Sequence, residues 1–360
     1  MNAADIRSAF AQARLKGMRA REAAISIGQS EGAVIAAHAG HHERGLRSVP
    51  LKPDWLALLQ SLQACGPLMG LTRNDSTVIE KTGVYENLSA QGHVGLALGK
   101  DIDLRLFFHR WHAGFSVTER QANGTDQTSL QFYDAHGTAV HKIYPRAHTD
   151  LPAWEKLLRD WVDPQQTPVF QSSQPAQPQR APETAARDCA SEFAQAWSAL
   201  TDTHQFFGLL RQFGLERQQA FALVEGRFTQ RVHPEAANHL LLAAALDATP
   251  LMVFVSSPAC IQIHTGPVRR VEPMQMQGLR WLNVLDLGFN LHLREDRIAS
   301  AWLVEKPGDA GTVTSLELFD TEGGLMAMFF GARKPGEPER ADWRALLAPL
   351  REAGVHAVPA

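Results

Sequence analysis

The sequence predicts an α+β fold built twice from one repeated unit, each repeat a large antiparallel β-sheet flanked by helices. Three observations carry this reading: an internal repetition in constant order, a Pro- and Gln-rich break between the copies, and helical segments grouped apart from alternating strands.

The repetition is direct. Cys65-Gly66-Pro67-Leu68-Met69 leads through an apolar run to Thr82-Gly83, and Ala248-Thr249-Pro250-Leu251-Met252 leads through a similar run to Thr265-Gly266. The interval from Pro67 to Pro250 equals that from Gly83 to Gly266. Further along, Thr128-Ser129-Leu130-Gln131-Phe132-Tyr133-Asp134 is echoed by Thr314-Ser315-Leu316-Glu317-Leu318-Phe319-Asp320. Trp154 with Leu157-Leu158 corresponds to Trp343 with Leu346-Leu347 in a closing helix of each copy. Between the copies, residues 165–187 are rich in Pro, Gln, Ala and Ser, a composition that cannot bury a core. The expected organisation is therefore a first repeat over 1–163, a linker over 164–189 and a second repeat over 190–360.

Within each copy, helices come first. Ala4 to Ala37 is helix-like and breaks near Gly28-Gln29-Ser30-Glu31. From Val78 the pattern turns to strand alternation. Leu104, Leu106 and Phe108 fall on one strand face and Arg105, Phe107 and His109 on the other. Short polar turns, Ala135-His136-Gly137 and Thr321-Glu322-Gly323-Gly324, predict antiparallel pairing. Leu240 to Val255, the most apolar stretch, is interrupted by Asp247 and Thr249-Pro250 and reads as a helix end followed by a strand, not a membrane span.

Composition limits the function. The chain has 360 residues, 44% hydrophobic and 20% charged, with a net charge of −3, so it lacks the basic excess of a nucleic-acid binder. Its three cysteines are far apart and form no CxxC pair, which argues against a disulfide scaffold, a structural zinc site or a cysteine-ligated cluster. Met1-Asn2-Ala3-Ala4-Asp5 has an acid where a signal peptide carries a cation, so a cytoplasmic location is expected. The phosphate-binding glycine loops, the GxSxG elbow and HExxH are all missing.

What remains is a dispersed set of His, Arg and Phe positions. His204 stands in Thr201-Asp202-Thr203-His204-Gln205-Phe206-Phe207, where Asp202 is the expected N-cap and Gln205 completes a capping box. The positive end of a helix favours the neutral ring that metal ligation needs. From the residues alone, a half-exposed polar side chain is the competing reading. Arg105 and Phe107 share a strand face where a guanidinium and an aromatic could meet a flat ligand. Arg217, Lys306 and Arg333 are candidates for pairing with carboxylates, or else solvated surface charges. His264 alternates with isoleucines and is expected to be structural or exposed.

Taken together, these segments resemble the HemS/HmuS/ChuS family of bacterial haem-handling proteins, the haemin-degrading factors. The resemblance spans essentially the whole chain. It rests on Leu71-Thr72-Arg73-Asn74, Lys81-Thr82-Gly83-Val84-Tyr85-Glu86-Asn87, Gly92-His93-Val94-Gly95 and Asp101-Ile102-Asp103-Leu104-Arg105-Leu106-Phe107. His204-Gln205-Phe206-Phe207, Trp281-Leu282-Asn283-Val284 and Phe289-Asn290-Leu291-His292-Leu293 extend it. The resemblance implies a haem ligand that is also the substrate, with His204 as proximal axial ligand. It implies Arg105 as the distal, catalytic-side arginine, Phe107 and Phe207 against the porphyrin, and Arg217, Lys306 and Arg333 as basic pocket residues. Two departures stand out: Ile79 where many relatives have histidine, and Phe329-Phe330 where some have tyrosine. Oxidative opening of haem with an external electron donor is the implied activity. Carriage of haem to a separate haem oxygenase is an alternative, and a duplicated small-ligand domain outside haem biology is a third. An inner-membrane haem ABC transporter, a haem oxygenase or a reductase would then be the partners.

Overall fold

The computed structural model describes all residues except 42–44, 122, 172–188, 277, 335 and 357–360. The chain forms two units that follow the repeat but exchange short segments: Ser256–Gln262 belongs with the first and Asp75–Val78 with the second. Of the segment expected to be linker, residues 172–188 lie outside the described residues. The stretch before them stays with the first unit. Gln171 donates its amide to the Ala135 carbonyl (2.8 Å), and Phe170 packs edge-on to Tyr133 at 6.2 Å.

The first unit begins with α1 (Ala3–Leu15), α2 (Ala20–Ser26) and α3 (Glu31–Ala37). The single break expected near Gly28 is thus joined by another before Ala20. Caps explain the starts: Asn2 and Asp5 form a capping box on α1, and the Ser30 hydroxyl accepts from Ala33 N at α3. After β1 (Leu46–Pro50) come α4 (Trp55–Ser61), β2 (Leu68–Arg73) and β3 (Thr77–Gly83). An antiparallel meander follows, β4 (Leu88–Gln91), β5 (Val94–Leu98) and β6 (Asp103–Phe107). Next are β7 (Ala113–Arg120), β8 (Asp126–Tyr133), β9 (Ala139–Pro145) and α5 (Leu151–Trp161). Six strands run β1-β7-β8-β9-β2-β3 across one sheet. The first three helices bury Phe10, Ala23, Ala24 and Val34 with Phe115, Val117 and Tyr133. Helices α4 and α5 bury Trp55, Leu58 and Trp154 with Leu130 and Phe132.

The second unit opens with α6 (Ala190–Ser198), a 3-10 turn (Thr203–Gln205), α7 (Phe206–Phe213) and α8 (Arg217–Leu223). It continues through β10 (Thr229–Val232), α9 (Ala236–Asp247), β11 (Pro250–Ser256) and β12 (Cys260–Pro267). The second meander is β13 (Val271–Met276), β14 (Leu279–Asp286) and β15 (Phe289–Arg294). Strands β16 (Ile298–Lys306), β17 (Val313–Asp320) and β18 (Leu325–Gly331) and helix α10 (Ala341–Ala353) complete it. Its six-strand run, β10-β16-β17-β18-β11-β12, repeats the order of the first. Helices α6 to α8 bury Phe193, Trp197, Phe206 and Phe221 against Trp302 and Phe319.

One turn shows the duplication at atomic level. Asp134 Oδ1 accepts from His136 N and Thr138 N, both at 2.9 Å. Asp320 Oδ1 accepts from Glu322 N (3.0 Å) and Gly324 N (2.8 Å). Gly137 (φ +77°) and Gly323 (φ +84°) occupy the same left-handed position, where a side chain would be strained. Both aspartates are buried, so removing the carboxylate leaves two amides without their acceptor. Asp134→Ala and Asp320→Ala should each cost about 2 kcal/mol in denaturant unfolding, and the Asn variants distinctly less, because Asn keeps one acceptor. A cost below a few tenths of a kcal/mol would show that these turns do not depend on the carboxylate.

Candidate functional site

Five of the seven residues singled out from sequence lie in the second unit. The segment between α6 and α7 carries the first. Asp202 caps the 3-10 turn: its Oδ1 accepts from His204 N (2.7 Å) and from His204 Nδ1 (2.6 Å). Gln205 answers by accepting from Thr201 N (3.0 Å) and Asp202 N (3.3 Å). The expected capping box is therefore present, although His204 sits in a 3-10 turn ahead of α7 and not in the α-helix itself. An ionised carboxylate only accepts, so Nδ1 carries the proton and Nε2 is left as a Lewis base. The backbone and ring donors of His204, with the nearby Arg333 guanidinium, hold the Asp202 carboxyl below its usual range. The His204 side chain is 90% exposed.

Behind this turn lies a layer of aromatic rings. Phe206 is buried beside Trp197 (5.0 Å, edge-on) and stacked on Phe221 (6.0 Å), whereas Phe207 is 56% exposed. Arg217, the first residue of α8, spreads its guanidinium over Phe206 (5.1 Å), Phe207 (5.4 Å) and Phe221 (5.7 Å). It is held there by Glu317 of β17, through Nε to Oε2 (2.6 Å) and Nη2 to Oε1 (2.9 Å). Lys306 Nζ reaches the same Oε1 at 2.9 Å, and the Ser315 hydroxyl donates to it at 3.0 Å. Burial by itself would push the Glu317 carboxyl up. The Arg217 and Lys306 charges and their hydrogen bonds outweigh it and hold the group at about 2.

Lys306 pairs with a carboxylate, as expected of it, but with one of the chain's own. Its side chain is 4% exposed, and its ammonium sits behind the Phe206 ring (4.9 Å) instead of facing outward. A buried lysine requires a partner, and Glu317 takes the ammonium that would otherwise meet a ligand. Arg333 is half-buried beyond β18, close enough to Asp202 to act on its carboxyl. Glu317 is the residue that sequence reasoning passed over. The available signal was an acid in the middle of β17, between Leu316 and Leu318, in a strand buried at every position.

Arg105 and Phe107 lie in the first unit. Both are half-buried on the expected face of β6, opposite the buried Leu104 and Leu106. The Arg105 guanidinium is drawn along its own strand by an ion pair with Asp103 and by a hydrogen bond to the Leu104 carbonyl (3.2 Å). His264, in β12, is buried and stacked on Phe289 (3.6 Å between centroids, 5° between planes), so it is structural and not exposed.

The duplication gives this arrangement an internal control. The interval from Asp134 to Asp320 also relates Glu31 to Arg217, Gln131 to Glu317 and Lys142 to Met328. In the strand ladders, Gln131 faces Phe115 and Glu317 faces Trp302, which sets Glu119 opposite Lys306. The first repeat therefore carries acids at the two positions where the second carries cations. It buries its own carboxylate, Glu31, between Arg73 and Lys142. The same interval pairs Ala20 with Phe206 and Met18 with His204. A simple alignment of the leading helical segments would set Ser8 opposite His204, but the helix break before Ala20 shifts the match.

The second unit thus assembles a Lewis base, an exposed apolar ring and two cations sharing one carboxylate. Such a set suits a flat, anionic, metal-bearing ligand. The comparisons agree in kind. The sequence model described as "Haemin-degrading HemS.ChuX domain" matches twice, over residues 28–161 and 214–350. The chain is 38% identical over 349 residues to the hemin transport protein HemS of Yersinia enterocolitica, covering 96% of this chain and 97% of the relative. It superposes on holo-PhuS, a heme-binding protein from Pseudomonas aeruginosa, with a TM-score of 0.89 at 41% identity, over 97% and 99% of the two chains. For ChuS, an E. coli heme oxygenase, the values are 0.85 and 34%, over 96% and 99%. This chain belongs to the HemS/ChuX family. Arg105, Phe107, Arg217, Lys306 and Arg333 fall within the matched stretches, and His204 and Phe207 fall outside them.

The buried carboxylates set the acid limit of stability. Glu31 and Glu317 are each held at about 2, against 4.5 unperturbed, so above pH 4.5 their ion pairs contribute fully. As pH falls from 4.5 towards 2 the unfolded chain takes up protons that the folded chain refuses, and stability drops. Each group accounts for on the order of 3 kcal/mol of this loss. Denaturant unfolding should decline gently below pH 6.5, where buried His141 stays neutral (held at about 3 by burial) while its unfolded form protonates, and fall more steeply below 4.5, with that lower limb reduced in Glu317→Gln. An acid limb unchanged in that variant would count against the ion cluster.

Proposed function

We propose that this chain binds haem through His204 and opens the macrocycle oxidatively to release iron, with electrons from an external donor. The observation that carries the reading is the Asp202–His204 pair at the edge of an exposed aromatic surface. A carboxylate on Nδ1–H fixes the tautomer, aims Nε2 outward and raises the basicity of the ring towards a metal. A more basic axial ligand pushes electron density onto iron, which favours oxygen chemistry over simple storage.

Phe207 supplies the apolar contact for the porphyrin face. Arg217 and Arg333 are the cations available to the propionates, and Lys306 acts indirectly, by holding Glu317 under Arg217. Arg105, with Phe107 beside it, is the proposed distal donor, released from Asp103 when it turns to the ligand. In supplying the axial base, the two repeats are unequal. Met18, Glu31 and Glu119 stand where the second repeat has His204, Arg217 and Lys306. One haem per chain is the consequence.

A carrier function is the second reading, and the exposure of His204 favours it, since an accessible ligand can be exchanged with an acceptor. The protein would then take haem from an inner-membrane haem ABC transporter and pass it to a separate haem oxygenase. If degradation holds, a reductase is the partner it needs. Both readings place the chain in the cytoplasm. Among the described residues, no helix is long and apolar enough to cross a membrane.

Haemin titration should give a sharp Soret band saturating at one equivalent. Asp202→Asn should weaken binding by about 10- to 100-fold, the usual cost of losing such a supporting carboxylate, and His204→Ala should weaken it further. Unchanged affinity and spectrum in His204→Ala would remove His204 as the ligand. With reductant, oxygen and catalase, decay of the Soret band with release of carbon monoxide or a linear tetrapyrrole supports degradation. Arg105→Ala should slow that decay without abolishing binding. A band that persists, or bleaching that catalase abolishes, leaves the carrier.

A further inference from the structure

A second pair of imidazoles lies in the first unit, on side chains the haem reading does not use. His93 follows Gly92, whose φ of +59° makes the tight turn from β4 into β5. His109 sits in the 3-10 turn Phe108–Arg110 that follows β6. Their backbones are tied together: Val94 faces Phe107 in the β5–β6 ladder, and Phe108 N donates to the His93 carbonyl at 3.0 Å. The Phe108 ring is seated over Gly95, where a Cβ would stand 2.5 Å from Phe108 Cε2, so the turn bearing His109 is packed in place. Both histidines are exposed, and their ring centroids are 6.0 Å apart at 61°.

That spacing has a chemical meaning. An imidazole nitrogen sits about 2.0–2.1 Å from a bound zinc ion, and the ring centre lies roughly 1 Å further out. Two rings sharing one ion therefore hold their centroids roughly 5–6 Å apart. The rings are already near this separation, on backbone segments held by the β5–β6 ladder. Among the described residues, no group of three or more His, Cys, Asp or Glu side chains is arranged to hold a metal. The remaining coordination positions would thus belong to water or to an incoming ligand.

We propose that His93 and His109 form an open, two-imidazole site for a borderline divalent transition-metal cation. Nitrogen donors select Cu2+, Ni2+ and Zn2+ over the hard cations Mg2+ and Ca2+, which prefer oxygen cages. Cu2+ should bind most tightly, following the usual order for first-row ions. The site is independent of His204 and requires no haem.

The test uses the full-length, haem-free chain with Cu2+ and Zn2+ as probes. Calorimetry should show a micromolar Cu2+ site that weakens at least tenfold in His93→Ala and equally in His109→Ala, with no further loss in the double variant. Added Zn2+ should raise the melting temperature of the wild type and leave that of the double variant unmoved. His112→Ala, a neighbouring histidine whose Nε2 hydrogen-bonds to the Val169 carbonyl, is the control and should bind Cu2+ like the wild type. Haemin titration of the double variant should match the wild type, which separates this site from the haem reading. Cu2+ affinity unchanged in both single variants, or lost equally in His112→Ala, would overturn the proposal.

Discussion

The second unit depends on one buried carboxylate. Glu317 binds Arg217 through both oxygens and Lys306 and Ser315 through Oε1, and Phe206, Phe207 and Phe221 lie against the Arg217 guanidinium. Burying three charges is expensive, and the arrangement is tolerated because each polar atom of the acid has a donor. Two cations for one acid leave a surplus positive charge under Phe207, at the foot of the turn that presents His204. Position and charge thus come from the same contact.

The first repeat shows what that contact adds. It keeps the sheet order, the Asp-capped turn and the helix-on-sheet core, yet it moves the buried acid from the strand to the start of the third helix. Its cations come from β2 and β9 instead of from a helix start and the neighbouring strand. The same frame therefore closes around a different ion cluster, with Ala20 where the second repeat has Phe206. Divergence after duplication reached the residues around the ion cluster and left the fold alone.

Much of this was legible in the sequence because it is local or periodic. Alternation placed Leu104 and Leu106 inside and Arg105 and Phe107 outside, and the Asp202–Gln205 box depends on residues three apart. The repeated Thr-Ser-Leu motif located matching strands in both units. The Asp103–Arg105 pair was equally local, two residues apart on one strand face, but a sequence does not say which way an arginine turns. Longer reach was illegible. Glu317 meets Arg217 from across the chain, and nothing in Val304-Glu305-Lys306 marks that lysine as buried. The extra helix break before Ala20 also hid that Met18, and not Ser8, stands opposite His204.

The central claim is that His204 Nε2, aimed by Asp202, is the base that meets the haem iron. Chemical rescue tests it most directly. Haem-loaded His204→Gly should lose the spectrum of a histidine-ligated iron and regain it on adding imidazole, which fills the space left by the ring. A His204→Gly spectrum identical to that of the wild type before imidazole is added would contradict the account.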